Sequence, residues 1–260
     1  MIIEIDGIPI HLQEEKTAEE VKPPALFFIH GAGGDCSQWN RQAAYFRQTH
    51  PVYLLDLPGH GKSGGGGEKE IGAYAEWVRK VIQRISPESP ILLVGHSMGG
   101  AVVQTLALDP WQGLAGIVLV GTGAKLGVLP EIFRMLEKDP ESFFCSIDVA
   151  AFHPKTPREI RDSVIQGIRR CPPPVIHGDF TACDRFDIRT LMDKISSPAL
   201  IICGDRDKLT PVKYSMYLKD SIPSSRLEII PEAGHQVMME QADAFNSAMA
   251  GFIDGLGLPA

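Results

Sequence analysis

The chain has 260 residues, 44% of them hydrophobic and 22% charged, with a formal net charge of −7 at pH 7. That length suits one domain with small insertions, and that composition is ordinary for a globular protein. The acidic balance argues against non-specific binding to nucleic acid or to an anionic membrane.

The N-terminal stretch MIIEIDGIPIHLQ has no basic segment ahead of a long apolar core, so no secretory signal is expected there. It reads as two short strands around an Asp6-Gly7 turn. Short apolar runs then recur at ALFFIH (25–30), PVYLLD (51–56), PILLVG (90–95), AGIVLVG (115–121), PALIICG (198–204) and SRLEIIP (225–231). Each has strand length and is almost continuously apolar, as strands covered on both faces of a parallel sheet are. No run approaches the about 20 residues of a membrane span.

Helical patterns alternate with these strands. Asp35-x-x-Gln38 reads as a capping box before Trp39, Ala43 and Phe46. Tyr74, Trp77, Val78, Val81, Ile82 and Ile85 form a helical stripe ended by Ser86-Pro87. One helix is expected to start at Ser97, and a last one to run through ADAFNSAMAGFI. The alternation breaks between about Gly123 and Ile195, where LPEIFRMLEKD and PREIRDSVIQGIRR are helical and Cys171-Pro172-Pro173-Pro174 reads as a stiff connection. The expected organisation is an open α/β sheet from residues 1–122 and 196–260, with a helical cap at 123–195 after the sixth strand. In such sheets ligands bind at the carboxyl ends of the strands.

The five cysteines, Cys36, Cys145, Cys171, Cys183 and Cys203, are scattered and form no C-x-x-C pair. Reduced thiols and a cytoplasmic location are expected. The histidines show no metal-ligand spacing, so neither a metal nor a cofactor is expected.

Gly95-His96-Ser97-Met98-Gly99 fits G-x-S-x-G and lies between a strand and a helix. A nucleophile on so sharp a turn projects its hydroxyl, and the flanking glycines let strand and helix approach without Cβ clashes. The turn also aims helix N-terminal N–H groups at a substrate carbonyl oxygen. A serine nucleophile needs a base and an orienting acid, here both later in the chain with the acid first. Strand-end acids Asp205 and Asp207 follow ALII, and His235 follows LEII. Spacing alone leaves the choice between the two aspartates open.

HGAGG at 30–34, DLPGHGKS at 56–63, GHSMGG at 95–100, GDRDKLTP at 204–211 and GHQVMMEQ at 234–241 together resemble the α/β-hydrolase superfamily, in family order and over nearly the whole chain. The resemblance implies the α/β-hydrolase fold, a mostly parallel central sheet flanked by helices. It implies Ser97 as nucleophile, His235 as base and then acid, and Asp207 as the acid. The family's alternative acid position, one strand earlier, reads Gly121-Thr122-Gly123 here and has no carboxylate. The resemblance also places the oxyanion-hole N–H groups at Ala32 and Met98, and makes His30 a support of the oxyanion loop. His60 and His96 are read as structural, and Cys36 and Cys203 as packing residues.

The expected activity is hydrolysis of a small or medium carboxylic ester or lactone by a monomer or homodimer. Carbon–carbon, thioester or amide hydrolysis on the same residues, or a small-molecule receptor on the same fold, are the alternatives. Gly61-Lys62-Ser63 looks like the end of a phosphate-binding loop. The full motif fails, because Asp56 stands where its first glycine belongs. Gly64 to Gly67 are expected to form a flexible connection.

Overall fold

The computed structural model describes residues 1–15, 22–85, 87 and 90–258. Ser86, half of the expected stop after the Tyr74 stripe, lies outside the described residues.

The expected strands form: β1 (Ile2–Ile5), β2 (Ile8–Glu15), β3 (Ala25–Ile29), β4 (Val52–Leu55), β5 (Ile91–His96), β6 (Leu114–Val120), β7 (Ala199–Gly204) and β8 (Ser225–Ile230). They make one sheet in the order β1-β2-β4-β3-β5-β6-β7-β8. Only β1–β2 and β2–β4 pair antiparallel, while every pairing from β4 to β8 is parallel. At the Asp6-Gly7 turn both residues have positive φ, 51° and 78°, as a tight hairpin needs.

The helices are α1 (Asn40–Phe46), α2 (Ile71–Ile85), α3 (Met98–Ala107), α4 (Pro130–Lys138), α5 (Pro140–Ala150), α6 (Arg158–Arg170), α7 (Pro173–Arg185), α8 (Val212–Ser221), α9 (Val237–Glu240) and α10 (Ala242–Asp254). Asp35 caps a short 3-10 turn, Cys36–Trp39, that precedes α1, accepting from the Ser37 amide. The two-residue alternation of the strands divides the core. Phe27, Ile29, Leu93, Ile117, Leu119 and Ile201 pack towards α2 and α3, whereas Leu26, Phe28, Leu92, Val94, Val118 and Ile202 pack with Trp39, Phe245 and Met249 on the α1 and α10 side. Burial on both faces explains why these strands read as unbroken apolar runs. No helix among the described residues is long and apolar enough to cross a membrane.

The insertion after β6 holds four helices, α4 to α7, around a third apolar cluster that includes Leu136, Phe143, Phe144, Ile147, Ile168 and Ile176. The stiff proline stretch leads into α7. Pro173 stands at its first position, where the missing N–H costs nothing.

Within the stretch Gly64 to Gly67, expected as a flexible connection, Gly64 and Gly67 are closely packed: a Cβ on Gly64 would lie 2.9 Å from Pro9. Gly65 and Gly67 have φ of 91° and 72°, and a Cβ on Gly67 would lie 2.9 Å from Val175 of α7 and 3.1 Å from the Tyr74 hydroxyl. A Cβ on Gly59 would meet the Gly67 amide at 2.6 Å. Gly59 and Gly67 thus let the connection between β4 and α2 pack closely on itself and against α7.

Candidate active site

Five loops meet at the carboxyl ends of β3, β5, β6, β7 and β8, around a cavity of about 390 Å³. The order of strands reverses at β3, where β4 is added on one side and β5 on the other, and a crevice opens at such a point.

Ser97 follows β5 with φ 53° and ψ −114°, a conformation that non-glycine residues rarely adopt. Close packing holds it there. A Cβ on Gly95 would lie 2.2 Å from the Gly99 carbonyl oxygen, and one on Gly99 would lie 2.5 Å from the Ile29 and His30 carbonyl oxygens. The Ser97 amide donates to Val120 O at 2.9 Å, and Thr122 Oγ1 donates to Ser97 O at 2.8 Å. The side chain is left facing the cavity, with no hydrogen-bond partner for Oγ among the described residues.

Asp207 and His235, 28 residues apart, come together with Asp207 Oδ2 2.8 Å from His235 Nδ1. Asp205 does not take part, because its Oδ1 accepts the Ala233 amide at 3.3 Å. Asp207 is anchored by the Leu209 and Thr210 amides on Oδ1, at 2.9 and 2.8 Å, and by the Thr210 hydroxyl on Oδ2 at 2.7 Å. Burial alone would raise its pKa, but the His235 ring and these hydrogen bonds outweigh it and hold the carboxyl below its ordinary value. Gly121, with φ 50°, makes room for the pair, since a Cβ there would lie 3.3 Å from His235 Nδ1. His235 and Ser97 line the same cavity.

The Ala32 and Met98 amides have no acceptor among the described residues. Met98 opens α3, so its N–H points along the positive end of the helix dipole. Ala32 follows β3 in a loop supported from beneath. His30 Nδ1 is 2.8 Å from Gly31 O, and its Nε2 accepts the Leu57 amide at 3.0 Å. That pairing fits a neutral ring, and burial together with the neighbouring His60 lowers the His30 pKa to about 4.

His96 is likewise lowered to about 3, by burial and by the adjoining His235. His60 goes the other way. Burial would lower it, but the Asp179 carboxylate at 2.8 Å raises it well above its ordinary value. Ring-nitrogen NMR is therefore expected to show His60 as imidazolium at pH 7, and His30 and His96 as neutral rings at pH 5. The stability consequences have opposite signs. Below about pH 6.5 the unfolded chain protonates its histidines while His30 and His96 stay neutral in the fold, so stability drops as pH falls towards about 4 and about 3. The His60 contribution is present below about pH 6.5 and is lost as pH rises through its raised value.

The loop resembling a phosphate cradle is filled by its own acid. Asp56 accepts the Cys36 amide on Oδ1 at 2.7 Å and the Lys62 amide on Oδ2 at 3.0 Å. Ser63 Oγ accepts the His11 amide and donates to Asp56 O. A Cβ on Gly61 would fall 2.3 Å from the Asp56 carboxyl, so glycine is required there. His11, Cys36 and Asp56 bring their donor atoms within 4.8 Å of one another, a meeting that their spacing did not announce. Asp56 is already satisfied by amides and by His11 Nδ1 at 2.8 Å, and burial followed by Asp56 pushes the Cys36 thiol up. The trio thus fits a closed hydrogen-bond network better than a metal ligand set.

The most notable omission from the sequence reading is Asp179. It is fully buried on α7 and bonds to Gly33, His60 and Tyr74. An aspartate on the buried face of a helix, in IHGDFTAC, was the available signal.

A mostly parallel sheet, a serine held at positive φ after β5, and an Asp–His pair from the two following strand ends define the class: an α/β-hydrolase fold. The chain belongs to the alpha/beta hydrolase family, which it matches over residues 26–248. It is 25% identical to a pimeloyl-[acyl-carrier protein] methyl ester esterase of Neisseria meningitidis, covering 94% of this chain and 99% of that protein. It is 28% identical to 3-oxoadipate enol-lactonase 2 of Acinetobacter baylyi, covering 92% and 96%. Among solved structures, a thermophilic esterase superposes with a TM-score of 0.87 at 35% identity, over 100% of this chain and 98% of that one. The enol-lactonase of Burkholderia xenovorans superposes with a TM-score of 0.90 at 20% identity over 98% and 100%, a likeness of fold.

Proposed function

We propose that the protein is a serine hydrolase of small or medium carboxylic esters or lactones. The observation that carries this reading is the Asp207–His235 hydrogen bond, made beside the cavity into which Ser97 projects from its elbow. Ser97 Oγ attacks the carbonyl carbon and its proton passes to His235 Nε2. The oxygen, now negative, is held by the Ala32 and Met98 N–H groups. The carbonyl re-forms, and the alcohol leaves with the proton from His235. Water then gives a proton to His235 and attacks the acyl-enzyme; His235 passes that proton to Ser97 Oγ as the acyl–oxygen bond breaks and the acid leaves.

In this reading residues 123–195 are the cap and the remainder is the core. Leu126, Leu129, Ile132, Phe143, Ile147 and Phe180 supply an apolar roof from that segment, suited to an acyl chain or an apolar leaving group. The names of the relatives, a methyl ester esterase and enol-lactonases, agree with ester-like substrates.

A p-nitrophenyl ester series tests the proposal, run beside lactones, thioesters and amides. Turnover is expected on the acetate and butyrate and on simple lactones. A cavity of about 390 Å³ is of the size that takes a small or medium ester. Tight ligand binding with negligible turnover across the panel would establish a receptor instead.

A further inference from the structure

We infer that Asp179 is a positioning residue that makes the oxyanion loop depend on the seating of the cap helix α7. This rests on the proposal that the Ala32 N–H is one of the two oxyanion donors.

Asp179 is completely buried. Its Oδ2 accepts the Gly33 amide at 2.7 Å and faces His60 Nε2 at 2.8 Å, while its Oδ1 accepts the Tyr74 hydroxyl at 2.5 Å. One carboxylate thus joins α7 to the loop after β3, the loop after β4, and α2. The hydrogen-bond pattern accommodates a charged ring. His60 Nδ1 lies 3.0 Å from Pro58 O and Nε2 faces the Asp179 carboxyl, so each ring nitrogen has an acceptor when both carry protons. The adjoining His30 ring, 4.8 Å away between centroids, is neutral, since its Nε2 accepts the Leu57 amide.

A buried ion pair is a costly way to fasten two elements, because apolar contacts alone can hold them. Apolar contacts already do so here. A Cβ on Gly33, where φ is 65°, would lie 3.2 Å from Ile168 and 3.4 Å from Ile176, and Gly59 and Gly67 pack under Val175. What the carboxylate adds is direction. It holds the amide immediately after Ala32, and the Gly34 amide bonded to Gly31 O at 3.0 Å closes the turn. With Gly33 tied on one side and Gly31 on the other, the Ala32 peptide cannot swing its N–H away from the cavity. When α7 lifts, the Gly33 bond goes with it and the donor loses its aim. Hydrolysis of an ester too small to reach the roof should therefore still depend on Asp179.

The test compares wild type with Asp179→Asn, using p-nitrophenyl acetate and two inhibitors. One is an alkyl trifluoromethyl ketone, which Ser97 adds to and which places a negative oxygen in the hole. The other is the matching methyl ketone, which binds without adding. Asp179→Asn is expected to lower kcat about 10- to 100-fold with KM within threefold, the order expected for a misaimed oxyanion donor. The trifluoromethyl ketone should weaken by a similar factor while the methyl ketone stays unchanged. Equal weakening of both ketones, or of neither, overturns the inference. If Asp179→Asn does not fold, Tyr74→Phe loosens the same carboxylate, and it should weaken the trifluoromethyl ketone alone, by about threefold. Equal loss of both ketones there would be equally fatal. If wild type holds both ketones equally, the oxyanion assignment itself has failed, and that outcome is separate from any result at Asp179.

Discussion

Ser97→Ala is expected to abolish ester hydrolysis, with kcat falling by about a million-fold, as removing the nucleophile of a serine triad does. The loss should appear in kcat, with KM little changed, because the apolar roof and the Ala32 and Met98 N–H groups remain. The substitution should leave the fold intact. Alanine at φ 53° meets the same elbow strain as serine, and Oγ has no hydrogen-bond partner to lose among the described residues. Matching thermal melts with abolished turnover are therefore expected. A variant that keeps more than about one per cent of wild-type kcat would require another nucleophile.

Asp207→Asn should be almost as severe, lowering kcat about ten-thousand-fold, and for a reason that the anchoring makes specific. Oδ1 of residue 207 accepts the Leu209 and Thr210 amides, so an asparagine there must keep its oxygen on them. Its NH2 then replaces Oδ2 and points at His235 Nδ1, now donor against donor. The ring relieves the clash by moving its proton to Nε2, where it can no longer accept one from Ser97. The two amide bonds persist, so the variant should fold, with lower stability at neutral pH. Because folding depresses the Asp207 pKa, the carboxylate stabilises the fold above the ordinary carboxyl value of about 3.9. That contribution disappears as pH falls through the lower folded value. Urea midpoints of wild type and variant should accordingly converge below about pH 4, and a gap that widens there would contradict this account.

These residues could be named from the sequence because local rules place them. β3, β5 and β7 are covered on both faces and read as apolar runs, and strand ends in such a sheet collect at one edge. The G-x-S-x-G glycines are demanded by backbone contacts within a few residues of Ser97 and by the His30 carbonyl. What could not be read depends on partners far along the chain. Asp179 meets Gly33 across 146 residues and His60 across 119. Gly67 looks flexible until Val175 of α7 is laid over it, where a Cβ would lie 2.9 Å from that side chain. α7 itself was hidden because it opens on prolines and buries an acid, which weakens the apolar stripe that marks a helix. By spacing alone the choice of Asp207 over Asp205 is of the same kind, and only the resemblance to the hydrolase pattern picks Asp207. Both follow β7, and only the position of the β8 loop decides which carboxylate meets His235.

The proposed role of Ser97 as nucleophile is tested by peptide mapping after treatment with a fluorophosphonate. A single adduct is expected, on Ser97, with loss of activity in proportion to labelling and no adduct in Ser97→Ala. An adduct on any other residue, or full labelling of Ser97 with hydrolysis undiminished, would contradict it.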